Sequence, residues 1–444
     1  MDKAKIYLVS LGCDKNRVDG EIMIGTLRGA KYEVSNDPAQ ADAIIINTCG
    51  FIRDAVQESI DMVLELAAYK SEGNCRALIV VGCMAERYRK EIEETIPEAD
   101  AIVGVGEYEK IAGVIAKLLD ITEGASQSIP SDPYLARLAA RSDDAIPHVA
   151  YVKIAEGCDN HCTYCTIPSI RGAYRSRTME SIVEECKQLV SAGAKEIVLV
   201  AQDSSLYGTD IYGGEKKLAP LIREIAAKTD VKWIRLMYVY PEHITDELIK
   251  TMAELTQVCK YIDMPIQHSE GNILAQMGRK GSREALLSLI NKMRKEIQGV
   301  AIRTTLMVGF PGETSEDFKN LRAFVETVKF DRMGVFPYSQ EEGTPASTMQ
   351  DQVDDSIKQT RMHNLMELQQ DIHFEKQREY IGQVLDVIVD EAIEGEYIGR
   401  TQYDAYEVDA VVHFIPLDKK LSLGEIVQVR IIETEGYDLR GALA

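Results

Sequence analysis

A chain of 444 residues is too long for one ordinary hydrophobic core, so two to four domains are expected. With 45% hydrophobic and 27% charged residues, no apolar run near the roughly 18 residues of a membrane span, and no signal-peptide pattern at the start, the composition is that of a globular protein expected in the cytoplasm. A formal net charge of −21 excludes a general polyanion binder: nucleic acid would need a basic patch working against that field, whereas a basic protein would be attracted by it.

In residues 1–122, β-rich apolar runs (Ile6–Ser10, Ala43–Asn47, Ala77–Val81, Ala101–Val105) alternate with helical patterns such as Ala55–Tyr69 and Tyr108–Leu119. That alternation predicts an α/β domain with a parallel sheet covered on both faces. Residues 123–147, rich in Ser, Asp and Pro, read as a linker. From 148 onward six strand candidates recur with helices between them: Val149–Ala155, Glu196–Ala201, Trp233–Tyr238, Tyr261–Pro265, Ala301–Val308 and Met333–Phe336. Six β/α units suggest a partial (β/α)6 barrel, with its chemistry at the C-terminal strand ends. A helical stretch over 352–379 closes this second domain, 148–379. Residues 380–444 change to short strands (Gln383–Val389, Ala405–Val412, Glu425–Glu433) separated by turns, which predicts a small antiparallel β-barrel.

Nine cysteines are an odd number, and in a reducing compartment they are better explained as metal ligands or catalysts than as disulfides. The strongest signal is Cys158-Asp-Asn-His-Cys162-Thr-Tyr-Cys165, directly after the first barrel strand. Three thiolates on one tight loop can hold three irons of a 4Fe–4S cube and leave the fourth iron open. A zinc loop is the bland alternative, but zinc wants four N/S ligands and His161 is badly placed to be one. Cys13, Cys49 and Cys83 each lie just beyond an apolar strand, where the carboxyl ends of a parallel sheet share one ligand-binding edge. They would converge there, or else be three buried cysteines at strand ends. Cys186 falls on the apolar stripe of a helix, Cys75 in a turn and Cys259 at a helix end, and all three are read as structural.

The central loop resembles the signature of radical S-adenosylmethionine enzymes. In that superfamily the open iron binds S-adenosylmethionine, and an electron from the cluster cleaves it to a 5′-deoxyadenosyl radical. Gly12-Cys13, Asn47-Thr48-Cys49-Gly50 and Gly82-Cys83-Met84 resemble the N-terminal domain of methylthiotransferases, which hold a second, auxiliary 4Fe–4S cluster. The resemblance covers nearly the whole chain, the last region being similar to a TRAM module. It implies S-adenosylmethionine and two 4Fe–4S clusters as cofactors, with Cys158, Cys162 and Cys165 at one cluster and Cys13, Cys49 and Cys83 at the other. Tyr164 matches the family's aromatic near the adenine, and Gly309 and Gly312 the loop beside it. Gln202 and Asp203 end the second barrel strand, where relatives carry a glycine–glutamate motif at the methionine amino group. The local Val200-Ala201-Gln202-Asp203 departs from that motif, and Asp203 also reads as a solvated loop acid. His268 reads as a polar structural residue, or as a substrate contact. No catalytic residue beyond the cluster ligands is assigned.

Within the methylthiotransferases, Leu11–Glu21 and the run Glu156-Gly157-Cys158-Asp159-Asn160-His161 on to Ile167-Pro168-Ser169-Ile170-Arg171-Gly172 resemble the branch that modifies an aspartate β-carbon of the small-subunit ribosomal protein S-twelve. The charge of the last region agrees. Residues 381–444 carry thirteen Asp/Glu against five Lys/Arg, a net of −8, where an RNA-binding barrel needs a positive groove. Asp386, Asp390, Glu391, Glu394 and Glu396 would lie on one strand and the turn after it, and Asp404, Glu407 and Asp409 on the next, facing a basic partner. The expected partners are therefore the S-twelve protein as substrate and an electron donor of flavodoxin or ferredoxin type, without RNA binding by the barrel or membrane attachment. The alternatives are a tRNA-adenosine methylthiotransferase and, outside this chemistry, an acidic protein-binding scaffold with structural metal sites.

Overall fold

The computed structural model describes residues 3–30, 32–121, 134, 148–416 and 420–444; the linker expected over 123–147 lies outside the described residues except for Tyr134. The chain forms two compact units: Met1–Ala145 with Glu156–Asp159 and Cys165–Arg175, and Ile146–Ala155 with Asn160–Tyr164 and Ser176–Ala444.

The first unit is built on five strands, β1 (Lys5–Ser10), β2 (Glu33–Ser35), β3 (Ala43–Thr48), β4 (Ala77–Gly82) and β5 (Ala101–Val103). Their order is β2-β1-β3-β4-β5, and each pair is parallel. β3 and β4 are buried along their whole length, which is why they read as unbroken apolar runs. Alternate residues serve opposite faces: Ile45, Ile79 and Val81 pack with Met23, Leu27 and Ile115. Ile44, Ile46, Leu78 and Val80 pack with Val63, Leu66 and Ile92. The order reverses direction between β1 and β3, the switch point where an open α/β sheet leaves a crevice beyond its carboxyl ends. The short β2, with its burial pattern of one exposed and two half-buried residues, had no apolar run to announce it.

In the second unit, β6 (Val149–Lys153) is followed in the chain by two-residue strands β7 (Ala155–Glu156) and β8 (Arg175–Ser176). After them come β9 (Glu196–Val200), β10 (Trp233–Leu236), β11 (Val258–Asp263), β12 (Ala301–Val308) and β13 (Arg332–Pro337). β6 and β9 to β13 form a six-stranded parallel sheet in sequential order, open between β6 and β13, as expected of a partial barrel. Five helices, Met179–Ser191, Leu218–Lys228, Asp246–Glu254, Arg283–Glu296 and Ser315–Val328, alternate with these strands, and Asp355–Arg378 follows the last. Cys259 lies in β11, not at a helix end, because that strand starts three residues earlier than its apolar core suggested.

The C-terminal strands β14 (Val384–Ile393), β15 (Glu396–Thr401), β16 (Val412–Ile415), β17 (Ile426–Glu435) and β18 (Asp438–Leu443) close into a barrel in the order β14-β15-β16-β18-β17. All pairs are antiparallel except β16 with β18. Of the expected strand Ala405–Val412 only Val412 lies in a strand, as the first residue of β16; residues 405–411 are turn and irregular chain instead. The Asp409 carboxylate accepts the Ala405 N–H at 2.9 Å and folds the segment on itself, with Glu407 at φ +59°. Asp404 and Asp409 are consequently not on a partner-facing strand. Asp404 pairs with Arg332, while Asp409 accepts the Tyr261 hydroxyl at 2.7 Å and lies 3.6 Å from Arg303. Asp390 is likewise turned inward, 2.6 Å from His148 Nε2 and 2.7 Å from Arg400 Nε. Arg400 also meets Glu196 at 2.8 Å, and Glu196 meets Arg235 at 2.6 Å, with none of these three side chains more than 1% exposed. Part of the acidity thus fastens the C-terminal barrel to the strands β9 to β13. Asp386, Glu391, Glu394 and Glu407 are exposed, and Glu396 is half-buried beside His413 and Arg440.

Candidate iron–sulfur and cofactor site

At the carboxyl edge of the first sheet, the end of each of three strands delivers a cysteine. Cys13 follows β1 and stands as the N-cap residue of the helix Asp14–Gly29; Cys49 follows β3; Cys83 follows β4 and opens a short helix, Cys83–Arg87. Glycines let these turns approach. Gly12 has φ +85°, and a Cβ there would stand 2.8 Å from Cys49 Cβ and 3.0 Å from its sulfur. A Cβ on Gly50 would lie 2.8 Å from the carbonyl of Cys83. Asn16 pins the turns by donating to Leu11 O at 3.0 Å and to Thr48 O at 2.9 Å. Residues 36 and 34 positions apart in sequence therefore meet, as the strand-end reasoning expected.

Burial pushes the Cys49 thiol up, and the Cys13 charge adds to it. Burial likewise drives Cys83 up to about 11, with Arg171 opposing and Cys13 and Cys49 reinforcing the rise. Two thiols raised by burial, Cys49 and Cys83, beside a third are a poor place for bare thiolates and a good one for cationic iron, which replaces their protons. The donor set fits a 4Fe–4S cluster, whose protein thiolates each bind a different iron and need not converge on one ion. Among the described residues, no three His, Cys, Asp or Glu side chains are arranged to hold a single metal ion.

The central loop is shaped by backbone contacts on either side of its cysteines. Gly157, at φ +81°, has no room for a Cβ, which would lie 2.2 Å from Ala173 O; the next amide, Cys158 N–H, donates to Gly172 O at 3.2 Å. In the second unit, Asn160 donates to Asp203 at 2.7 Å, and Thr163 N–H donates to Met277 O at 3.0 Å. Cys158 and Cys162 are buried and Cys165 half-buried. Burial pushes the Cys162 thiol up, against the Arg279 charge and hydrogen bonds from Tyr164 and Tyr240. Arg279 is fixed by Glu242 at 3.0 and 3.2 Å and lies 4.2 Å over the Tyr240 ring. These soft donors with an adjacent fixed cation also suit an iron–sulfur cluster.

The other expected residues divide. Tyr164 is partly buried and packs against the apolar cluster Ile273, Met277, Phe310, Tyr338 and Ala346. Gln202 is half-buried at the end of β9. Asp203 is fully buried, which removes the reading of a solvated acid: it accepts from Asn160, from Ser205 N–H at 3.0 Å, and pairs with His243 at 2.9 Å. Gly309 and Gly312 both have positive φ, and a Cβ on Gly309 would lie 2.2 Å from Lys358 Cγ. Their turn closes on Glu313, which takes the Gly309 N–H at 2.6 Å and Arg361 at 2.7 Å. His268 is fully buried and accepts Glu270 N–H at 3.0 Å, in keeping with a structural role; burial lowers it to about 3. Cys75, Cys186 and Cys259 are buried singly, at 5%, 0% and 1% exposure.

Sequence reasoning did not single out Arg171, Asn16, Asp19, Tyr240 or Arg279. A signal existed for two of them: Asn16 and Asp19 recur at helical spacing from Cys13 on a helix face that should otherwise be apolar, and both are buried.

Residues 5–104 match the uncharacterized protein family UPF0004, residues 152–325 the radical SAM superfamily, and residues 381–443 the TRAM domain. The chain is 46% identical over 443 residues to the ribosomal protein uS12 methylthiotransferase RimO of Clostridium tetani, covering 100% of this chain and 99% of that protein. It is 48% identical over 445 residues to the protein of the same name from Desulforamulus reducens, covering 99% of each. Among solved structures, the radical S-adenosylmethionine methyltransferase TsrM from Kitasatospora setae, with cobalamin and a 4Fe–4S cluster bound, aligns with a TM-score of 0.56 at 15% identity. That alignment covers 78% of this chain and 74% of TsrM, a likeness of fold alone. The radical SAM match implies a 4Fe–4S cluster and S-adenosylmethionine for this chain.

Proposed function

Because this chain belongs to the family of ribosomal protein uS12 methylthiotransferases, we propose that it inserts a methylthio group at the β-carbon of an aspartate in uS12, consuming two S-adenosylmethionine molecules and using two 4Fe–4S clusters. Cys158, Cys162 and Cys165 would hold one cluster, and Cys13, Cys49 and Cys83 the auxiliary one. Bound there, the first supplies the electron that cleaves S-adenosylmethionine to a hydrogen-abstracting radical, and the second carries the sulfur to be methylated and delivered.

The observation that carries this reading is the meeting of Cys13, Cys49 and Cys83. A radical SAM enzyme needs only the central loop, so a second thiol set, brought together at one sheet edge with Cys49 and Cys83 pushed up by burial, asks for a second group. The chain's own residues have definite tasks in it. Tyr164, with Phe310 and Tyr338 behind it, offers an apolar face for an adenine. The Gly309–Glu313 turn, locked by Arg361, keeps backbone groups fixed beside that face. Gln202, half-buried just after β9, would contact the same cofactor, and Asp203 acts through Asn160 and His243 to hold the cysteine loop. The exposed acids of the C-terminal barrel favour a basic protein over RNA. An electron donor of flavodoxin or ferredoxin type completes the reaction. No helix among the described residues is long and apolar enough to cross a membrane.

The test is complementation of a strain lacking its own uS12 methylthiotransferase, followed by mass spectrometry of uS12 and of tRNA. A gain of one methylthio group on uS12, dependent on both cysteine triplets, supports the assignment. A gain on tRNA adenosine with uS12 unchanged would move the substrate to the alternative branch.

A further inference from the structure

We propose that Arg171 is a positioning residue of the auxiliary cluster, acting through Cys83 and tying that ligand to the segment that carries the central cysteines. The inference rests on the auxiliary cluster being held by Cys13, Cys49 and Cys83.

Arg171 ends the short helix Ile167–Arg171, six residues after Cys165, yet its side chain is 1% exposed within the first unit. Its two terminal nitrogens serve different segments. Nη2 lies 3.3 Å from Cys83 Sγ and 3.1 Å from Asp19 Oδ2, and also donates to Asn16 Oδ1. Nη1 donates to Glu156 Oε1 at 2.8 Å, two residues before Cys158. Asp19 is itself 1% exposed and Glu156 15%. One guanidinium thus joins a ligand from β4, two polar residues of the helix after Cys13, and the chain on both sides of the central triplet.

A surface anchor would not need this construction. A buried guanidinium requires anionic partners, and Asp19 and Glu156 supply them; its contact with a ligand sulfur is an addition that burial did not demand. The planar fork is what lets one side chain serve two segments at once, which a lysine ammonium on a flexible stem does not reproduce. A hydrogen bond and a fixed positive charge on a cluster thiolate stabilise the reduced, more negative state of the cluster, a lever on its reduction potential. Asp19 opposes that lever by neutralising the same guanidinium. The two residues therefore make predictions of opposite sign.

The test uses the full-length, anaerobically reconstituted chain with Cys158→Ala, Cys162→Ala and Cys165→Ala, so that iron and electron paramagnetic resonance signals come from the auxiliary site alone. Arg171→Lys should shift its midpoint potential to more negative values and change the reduced-state spectrum. Asp19→Asn, with the guanidinium retained and less neutralised, should shift the potential to more positive values. An unchanged potential in both variants, or shifts of the same sign, would overturn the proposal even where thermal stability falls, because a merely structural arginine moves stability and not potential. If Arg171→Lys fails to fold, the sign of the Asp19→Asn shift decides alone. Absence of about four irons in the parent chain would instead remove the auxiliary cluster, and this inference with it.

Discussion

Cys158, Cys162 and Cys165 are neighbours because one loop carries them, whereas Cys13, Cys49 and Cys83 come from three strand ends and meet only when the first sheet has formed. Each set has a fixed arginine at one sulfur, Arg279 beside Cys162 and Arg171 beside Cys83. Arg279 lies over the Tyr240 ring and is held by Glu242, both in the stretch that follows β10. Arg171 reaches across 88 positions of sequence to its cysteine. The difference teaches where robustness lies. A loop-borne ligand set tolerates loosening of the surrounding fold, while a strand-end set is only as good as the register of its sheet and the glycines at its turns.

The largest effect separates the two sets outright. Replacing Cys158, Cys162 and Cys165 by Ala should lower bound iron from about eight to about four per chain and abolish release of 5′-deoxyadenosine. The triple change at Cys13, Cys49 and Cys83 should leave the other four irons, those of the central site, and retain that release while eliminating methylthio product. Methylthiolated uS12 from the second variant, measured by mass spectrometry, would sink the division of labour between the sets.

The C-terminal barrel is fastened in part through Glu196 of β9, which meets Arg400 of β15, and the next effect tests that carboxylate. Burial pushes this carboxyl up, but Arg235 and Arg400 outweigh burial and hold it at about 2, below its ordinary 4.5. A carboxyl with a lowered folded pKa contributes stability that is complete above the ordinary value and is lost as pH falls towards the folded one. Glu196→Gln leaves two guanidiniums buried beside a neutral amide, and should cost about 3 kcal/mol at neutral pH. Urea unfolding of the iron-free chain should show the gap to wild type narrowing between pH 4.5 and pH 2. A gap independent of pH would mean that the loss is one of packing and not of charge.

Smaller again is the effect expected at the glycines. Gly12→Ala forces a Cβ to within 2.8 Å of Cys49 Cβ at φ +85°, and should cost about 1–2 kcal/mol. Its signature should be selective: iron lost from the auxiliary site, with 5′-deoxyadenosine release retained. Gly157→Ala meets Ala173 O at 2.2 Å and should do the reverse, lowering cofactor cleavage first. Equal loss at both sites in both variants would show that the two sets are not separable by local strain.

What could be read in advance follows the same line. The central triplet was legible because spacing on one loop is a property of the chain. The three parallel-sheet cysteines were legible because β1, β3 and β4 are apolar runs, and the carboxyl ends of parallel strands share an edge. The strand β2 and the turn over 405–411 were not, because their state is decided by partners distant in sequence: β1 for the first, Arg303, Arg332 and Tyr261 for the second. Arg171 stood inside a motif that sequence reasoning had quoted, but nothing local says that its side chain leaves its own loop to find Cys83 and Asp19. The barrel's net charge of −8 was countable, yet counting could not tell which carboxylates face solvent.

The smallest expected effect concerns the acids that do face solvent. Asp390, Asp404 and Asp409 are engaged within the second unit, so a charge-reversal test that includes Asp409 would confuse docking with folding. Glu391 and Glu394 are exposed at the end of β14 and the turn after it, and are free of that confusion. Reversing both to Lys should change stability by no more than about 0.5 kcal/mol. If these carboxylates draw in a basic ribosomal protein, the association rate should fall several-fold at low salt, and the difference should shrink as salt rises and screening shortens to about 8 Å near 0.15 M. Stopped-flow or surface-capture kinetics with purified uS12 at two salt concentrations measures both quantities. An association rate indifferent to the reversal at either salt would confine the barrel's acids to solubility and to the inward clamp, leaving substrate capture to another surface.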